Sequence, residues 1–324
     1  MPKIDFVLPW VDGNDPEWQK LFNKYSPVKR TVVEEDYNNK KRYDDTGLLR
    51  YWFRCVEKNA PWINKVFFIT NGQKPDWLNL NCNKLVWVKH EDYIPKKYLP
   101  VFSANPIEVN LHRIKELSEC FAFFNDDCFI INKIKKSYYF NNDCLPCDFA
   151  IQREIPASLF GHLIINNLSE INARFNKKDV ISQNINKWFN LKYGIDLFHT
   201  FYYNQAKTFT GFLGRHTSQA FLKSTFEEVW ENCNSVLHET SSNRFRSVTD
   251  VTQYLFRYWQ IVTGKFNPAS VKGRRIWFDK VDIKELKKCF FNHKIKEVCI
   301  NYDVPTEALK LFEKYYPEKS MFEL

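Results

Sequence analysis

Phe123-Phe124-Asn125-Asp126-Asp127-Cys128-Phe129 is the stretch on which the reading of this chain turns. The apolar run from Cys120 to Phe124 has the length and composition of a short buried strand, and it stops at two adjacent carboxylates before apolar residues resume at Cys128. Such a pair is costly to bury without partners. Two acidic side chains at the end of a buried strand can hold a hard cation through oxygen, and that cation can in turn grip a diphosphate. Asn-Asp-Asp also favours a turn, and spacing alone does not choose between the two.

The same arrangement recurs along the chain. Lys3 to Pro9 reads as a strand running into Trp10-Val11-Asp12-Gly13-Asn14-Asp15-Pro16, and Lys65 to Thr70 as a strand broken by Asn71-Gly72-Gln73. Leu85 to Lys89 and Glu297 to Asn301 are further strands. Between them, Leu48, Leu49, Trp52, Phe53 and Val56 recur at helical spacing, with Asp45 placed to cap. Asn105-Pro106-Ile107-Glu108 has the form of a helix start, which sets Glu108 and His112 on a common side. Gly211 to Thr217 reads as a turn before a helix carrying Phe221, Leu222, Phe226, Val229 and Trp230. Ser247 to Asp250 reads as a capping-box start of a helix ending at Gly264.

Strands alternating with helices imply an α/β fold with an open, mostly parallel sheet. Ligands of such sheets sit outside the carboxyl ends of the strands, so Asp12, Asn71, Asp126, Asp127 and Asn301 are expected to meet in one crevice. That convergence favours the cation reading over the turn. Arg113, Arg215, Arg244 and Arg246 are then available for phosphate oxygens, and His216 or His112 for proton movement, although an arginine or a lone histidine is more often a solvated or packed residue. Residues 132–207 are rich in Asn and Lys with short apolar pieces and read as a mostly helical insertion. The expected division is 1–131, 132–207 and 208–324. The polar segment from Tyr25 to Lys41 reads as a mobile excursion or lid, and the stretch from Tyr316 to Ser320 as surface unless it docks.

Composition narrows the classes. The 324 residues suffice for a large core, 17% aromatic content excludes disorder, and only 9 Gly argues against repeats. The formal charge of +9 favours anionic partners, but the lysines are dispersed, which speaks against a nucleic-acid groove. Nine cysteines, an odd number within apolar runs, read as reduced core residues of a cytosolic protein, and Cys144-x-x-Cys147 has no second pair at zinc-finger spacing. Without a leader-like start or a membrane-length apolar run, the chain reads as soluble or peripheral.

Four blocks of the chain resemble, in order, the conserved regions of the Stealth family of sugar-phosphate transferases, which includes bacterial capsular polysaccharide phosphotransferases and the animal N-acetylglucosamine-1-phosphotransferase. The first is Ile4 to Pro16, with Trp-Val-Asp-Gly-Asn-Asp-Pro. The second, Arg42 to Phe129, holds Leu-Leu-Arg-Tyr, Asn-Ala-Pro-Trp-Ile, Thr-Asn-Gly-Gln, Asn-Leu-His-Arg-Ile and Phe-Asn-Asp-Asp. The third runs from about Gly214 to Tyr258 with Arg-His-Thr and Asn-Arg-Phe-Arg, and the fourth from Val298 to Glu323. The last departs from the family at Asn301-Tyr302-Asp303, where Asn-Asp is usual.

The resemblance implies a Rossmann-like or GT-A-like nucleotide-sugar-binding core, a UDP-sugar donor, and Mg²⁺ or Mn²⁺ on Asp126 and Asp127. It implies transfer of a hexose 1-phosphate to an oligosaccharide or polysaccharide hydroxyl, with release of UMP. Asp12, Gly13, Asn71 and Gln73 would line the nucleotide pocket; His112, Arg113, Arg244 and Arg246 would meet the phosphates. His216 would be the general base, with Asp250 orienting it or holding an arginine. The setting implied is capsule synthesis at the cytoplasmic side, with the acceptor's linkage to lipid left open and a basic face that could touch anionic lipid at the inner surface of the plasma membrane. A metal-dependent glycosyltransferase releasing UDP would use the same groups. A non-catalytic polyanion-binding module fits the charge but gives no reason for acids after three strands.

Overall fold

The computed structural model describes residues 2–27, 38–270, 274–276, 283–300 and 304–324. Its centre is β1 (Ile4–Pro9), flanked in parallel by β2 (Val66–Thr70) and β4 (Cys120–Phe123). β3 (Leu85–Lys89) continues the parallel set beyond β2, and β7 (Gln219–Leu222) closes the other edge antiparallel to β4, for an order β3-β2-β1-β4-β7. The expected mixed α/β fold with a mostly parallel sheet is therefore present.

The strands are nearly continuous apolar runs because both faces of a parallel sheet are covered, and alternate side chains serve different cores. Phe6, Leu8, Val66, Phe68 and Ala122 face one core, shared with the helices Leu49–Asn59, Ile283–Phe291 and Thr306–Tyr315. Val7, Phe67, Ile69, Phe121 and Phe123 face the other, shared with the helices Leu159–Arg174, Lys223–Asn232, Asn234–Ser242 and Tyr254–Val262. The second core thus joins side chains from residues 1–131, 132–207 and 208–324. Among the described residues, 132–207 carries the two-residue strand β6 (Cys147–Asp148) and then helices. β6 pairs with β8 (Asn267–Pro268).

Several local expectations are corrected. Phe221 and Leu222 lie in a strand, not a helix: three apolar residues in a four-residue element carry no decisive period, and pairing with β4 settles their state. The helix expected from Asn105 is Ala104–Val109, capped by Ser103, and a 3-10 turn over Leu111–Arg113 follows it. Glu108 and His112 consequently part company. Asp250 caps no helix, since Tyr254–Val262 begins after it, and Asp45 leaves the start of Leu49–Asn59 without a side-chain cap.

Glu297–Ile300 is a strand, but in a second sheet: β10 (Glu297–Ile300) lies between β5 (Cys128–Ile130) and β9 (Arg274–Ile276). Asn301 and Asp303 fall outside the described residues, as does most of the expected lid. The C-terminal stretch does dock. Arg54 holds Glu323 through two hydrogen bonds of 2.8 Å, and Leu324 N–H donates to the Trp77 carbonyl at 2.8 Å.

Candidate active site

Parallel β1, β2 and β4 end on one edge of the sheet, so the segments after them converge there. β7 runs the opposite way, and its register sets Gln219 beside Phe123. The segment before β7, with His216, therefore arrives at the same edge as Asn125, Asp126 and Asp127. A cleft of about 1270 Å³ opens at this edge. Its wall includes Asn71, Asp126, Asp127, His216 and Arg246, five of the residues expected from sequence.

Asp127 is the most heavily engaged of these. Its Oδ2 lies 3.2 Å from His216 Nε2, with the two side chains 16% and 25% exposed. The thiols of Cys128 and Cys299 donate to its two oxygens at 3.3 Å each. Cys128 and Cys299 meet because they are directly paired across β5 and β10. Burial opposes charge on Asp127, but the His216 cation and these donors outweigh it and hold the carboxyl below its ordinary value. Burial likewise opposes charge on His216, and the Asp127 carboxylate outweighs it, raising the imidazole well above its ordinary value. The two shifts together favour the ion-paired form, imidazolium and carboxylate.

Asp126 behaves in the opposite way. Burial first, then the charges of Asp127 and Asp45, push it up to about 7. Asp45 is itself raised by burial, and Asp12 pushes it further. Asp45 and Asp126 thus face the cleft together, with Asp12 behind Asp45, the electrostatic condition a bound cation relieves. Carboxylate oxygens suit Mg²⁺ or Mn²⁺. Donor atoms of Asp127, Cys128, His216 and Cys299 lie within 4.8 Å of one another, which adds softer ligands on the Asp127 side.

Asp12 and Gln73, expected in the pocket, do not line the cleft but join two loops beside it. Gln73 Oε1 accepts from Asp12 N–H at 3.1 Å, and its amide donates to the Asp12 carbonyl at 2.9 Å and to Asp15 Oδ2 at 3.0 Å. This tie fixes the loop after β1 to the loop after β2. Gly13 is needed for contact within the protein: a Cβ there would sit 2.5 Å from the Tyr43 carbonyl. Arg246 lines the cleft, its pKa lowered by burial and by Arg42.

His112, Arg113, Arg215 and Arg244 lie outside the cleft wall, and Asp250 acts through others. His112 packs against Phe226 and Trp230, and burial lowers its pKa to about 3. Arg113 lies over the Trp230 ring and donates to Asn110. The exposed Arg244 lies over Tyr25. Asp250 accepts from Asn105 at 2.7 Å, from Asn243 at 2.8 Å and from Ser247 N–H at 3.0 Å. It positions the Asn105 helix and not His216.

In sequence Asn105 and Glu108 read foremost as the cap of a helix, with Glu108 on one side with His112. Glu108 is 6% exposed, lines the cleft and accepts from Gln253 N–H at 3.2 Å; burial pushes it up to about 7. Its signal was a carboxylate inside the otherwise apolar Pro106-Ile107-Glu108-Val109.

Strand-end acids facing a histidine and an arginine across a deep cleft define a group-transfer enzyme of the α/β class. Residues 2–27 match Stealth protein CR1, conserved region 1, and residues 42–148 match Stealth protein CR2, conserved region 2. The chain is 41% identical over 337 residues to the capsular polysaccharide phosphotransferase WcwK of Streptococcus pneumoniae, covering 100% of this chain and 98% of the relative. It is 39% identical over 334 residues to the receptor polysaccharide phosphotransferase WefC of Streptococcus gordonii, covering 99% of each. It is also 37% identical over 333 residues to the exopolysaccharide phosphotransferase cps2G of Lactiplantibacillus plantarum, covering 99% and 96%. The chain belongs to the Stealth family.

Proposed function

We propose that this enzyme transfers a hexose 1-phosphate from a UDP-sugar to a hydroxyl of an oligosaccharide or polysaccharide acceptor in surface polysaccharide synthesis, and releases UMP. The observation that carries this reading is the meeting of acidic and cationic groups, Asp126 and Asp127 against His216 and Arg246, at one strand-end cleft of a chain similar end to end to polysaccharide phosphotransferases. The cleft is larger than the usual range of about 300–1,000 Å³ for one small ligand, which suits a donor and an acceptor together.

In the proposed reaction the acceptor oxygen bonds to the sugar-side phosphorus, the bridging P–O bond breaks, and its electron pair leaves on UMP. A divalent cation held by Asp126 and Asp127 would supply neutralisation of the diphosphate. Arg246 faces the phosphate oxygens. The ion pair with Asp127 changes the role expected of His216. The contact with Asp127 favours the protonated imidazole, which suits His216 to donating a proton toward the charge developing on departing UMP. Glu108, poised at about 7, is the cleft group matched to receiving the acceptor's proton.

The test is incubation of the full chain with a panel of UDP-sugars, Mg²⁺ or Mn²⁺, and an oligosaccharide acceptor, followed by identification of the nucleotide released. UMP with a phosphodiester product supports the proposal. UDP with a glycosidic product makes the enzyme a glycosyltransferase.

A further inference from the structure

Residues 191–202 place large apolar side chains in solvent. Leu191 is 88% exposed, Ile195 81%, Phe198 73%, Tyr202 71% and Phe201 55%. A folded protein scatters single apolar residues over its surface, but a run of aliphatic and aromatic side chains this exposed marks a binding face. The helix Leu197–Tyr203 supplies three of them. It follows the 3-10 segment Leu191–Asp196, which turns at Gly194 with φ 58°.

The segment is joined to the rim of the cleft. Arg153, on the cleft wall, donates to Asp196 at 3.0 Å, and Tyr203 donates its hydroxyl proton to Glu154, also on the wall. The Arg153 pair neutralises Asp196, the one acid between residues 185 and 207; Lys187, Lys192 and Lys207 remain as the formal charges there. Phe, Tyr, Leu and Ile beside an excess of lysine suit an anionic lipid interface, where rings and aliphatic chains enter the headgroup boundary and lysines meet phosphate. Among the described residues, no helix is long and apolar enough to cross a membrane.

We propose that the face formed by Leu191, Ile195, Phe198, Phe201 and Tyr202 seats the enzyme on an anionic lipid bilayer with the mouth of the cleft turned to the surface.

The experiment is flotation of the full chain with vesicles of phosphatidylglycerol and phosphatidylcholine, and with vesicles of phosphatidylcholine alone. Its readout is bound protein, independent of turnover. The expected result is binding to the anionic vesicles that falls about tenfold or more in the variant Leu191→Gln/Ile195→Gln/Phe198→Gln, since each anchor removes an apolar contribution. Circular dichroism and UMP release on a soluble acceptor check that this variant folds and works. A second variant, Lys192→Gln/Lys207→Gln, should weaken binding at low salt only. Wild-type protein left at the bottom of the gradient with anionic vesicles overturns the proposal, as does undiminished binding by the folded apolar variant. Concentration-dependent self-association through the same side chains without vesicle binding overturns it too, and assigns the face to a second copy of the chain.

Discussion

Replacing Glu108 by Gln should change how stability depends on pH, in a direction the cleft dictates. In the unfolded chain Glu108 ionises near 4.5, and in the folded protein burial holds its proton to about 7. The folded state binds the extra proton throughout that window, so stability is full below about 4.5, falls as pH rises to about 7, and is level above. An interval of about 2.5 pH units at about 1.36 kcal/mol each sets a ceiling of about 3 kcal/mol. The side chain borders an open cleft and feels Arg246, so about 1–3 kcal/mol is expected. Glu108→Gln keeps an oxygen for Gln253 N–H but has nothing to ionise. Urea unfolding of both proteins at about pH 5 and about pH 8 should show the wild type losing that much relative to the variant, while the shared contributions of Asp126 and Asp250 cancel. Parallel pH profiles would refute the account of a carboxyl kept protonated by the cleft. The same variant should also lose turnover, because an amide accepts no proton from the acceptor.

Other substitutions separate site from scaffold. His112→Phe should leave kcat/KM within about threefold of wild type, whereas His216→Ala should lower kcat by about 10²–10³, both read from UMP release. Arg54→Met takes the buried counter-charge from Glu323, whose side chain is 2% exposed and keeps Arg50 at 3.5 Å and the Ser320 donors, and should cost about 2–3 kcal/mol in urea unfolding; adding Glu323→Leu should recover part of it. Gly13→Ala drives a Cβ into the Tyr43 backbone, for an expected loss of about 1–3 kcal/mol and a raised KM for the donor, measured by unfolding and steady-state kinetics.

How far the site could be read in advance depended on how local its cause was. Asp126 and Asp127 stand out because acids directly after an apolar run need a partner, and β4 and its carboxyl end follow from that run alone. Glu108 was misread because Asn-Pro-Ile-Glu satisfies a local capping pattern, while the helix it sits in starts earlier and turns its carboxylate to the cleft. His112 and His216 look alike in sequence. Only the packing of one, tilted, against Phe226 and Trp230, and the 3.2 Å approach of the other to Asp127, tell them apart.

Alternating strands and helices, buried runs and polar strand ends were determined by the sequence, because burial and period act between neighbours along the chain. The apolar segment at 191–202 could not be told from core by composition, since exposure is a property of what packs nearby. Tertiary structure alone decided which strand runs backwards, and so which histidine meets the acid pair. It also set the charge on that histidine, which a carboxylate 89 residues distant in sequence controls through one short contact.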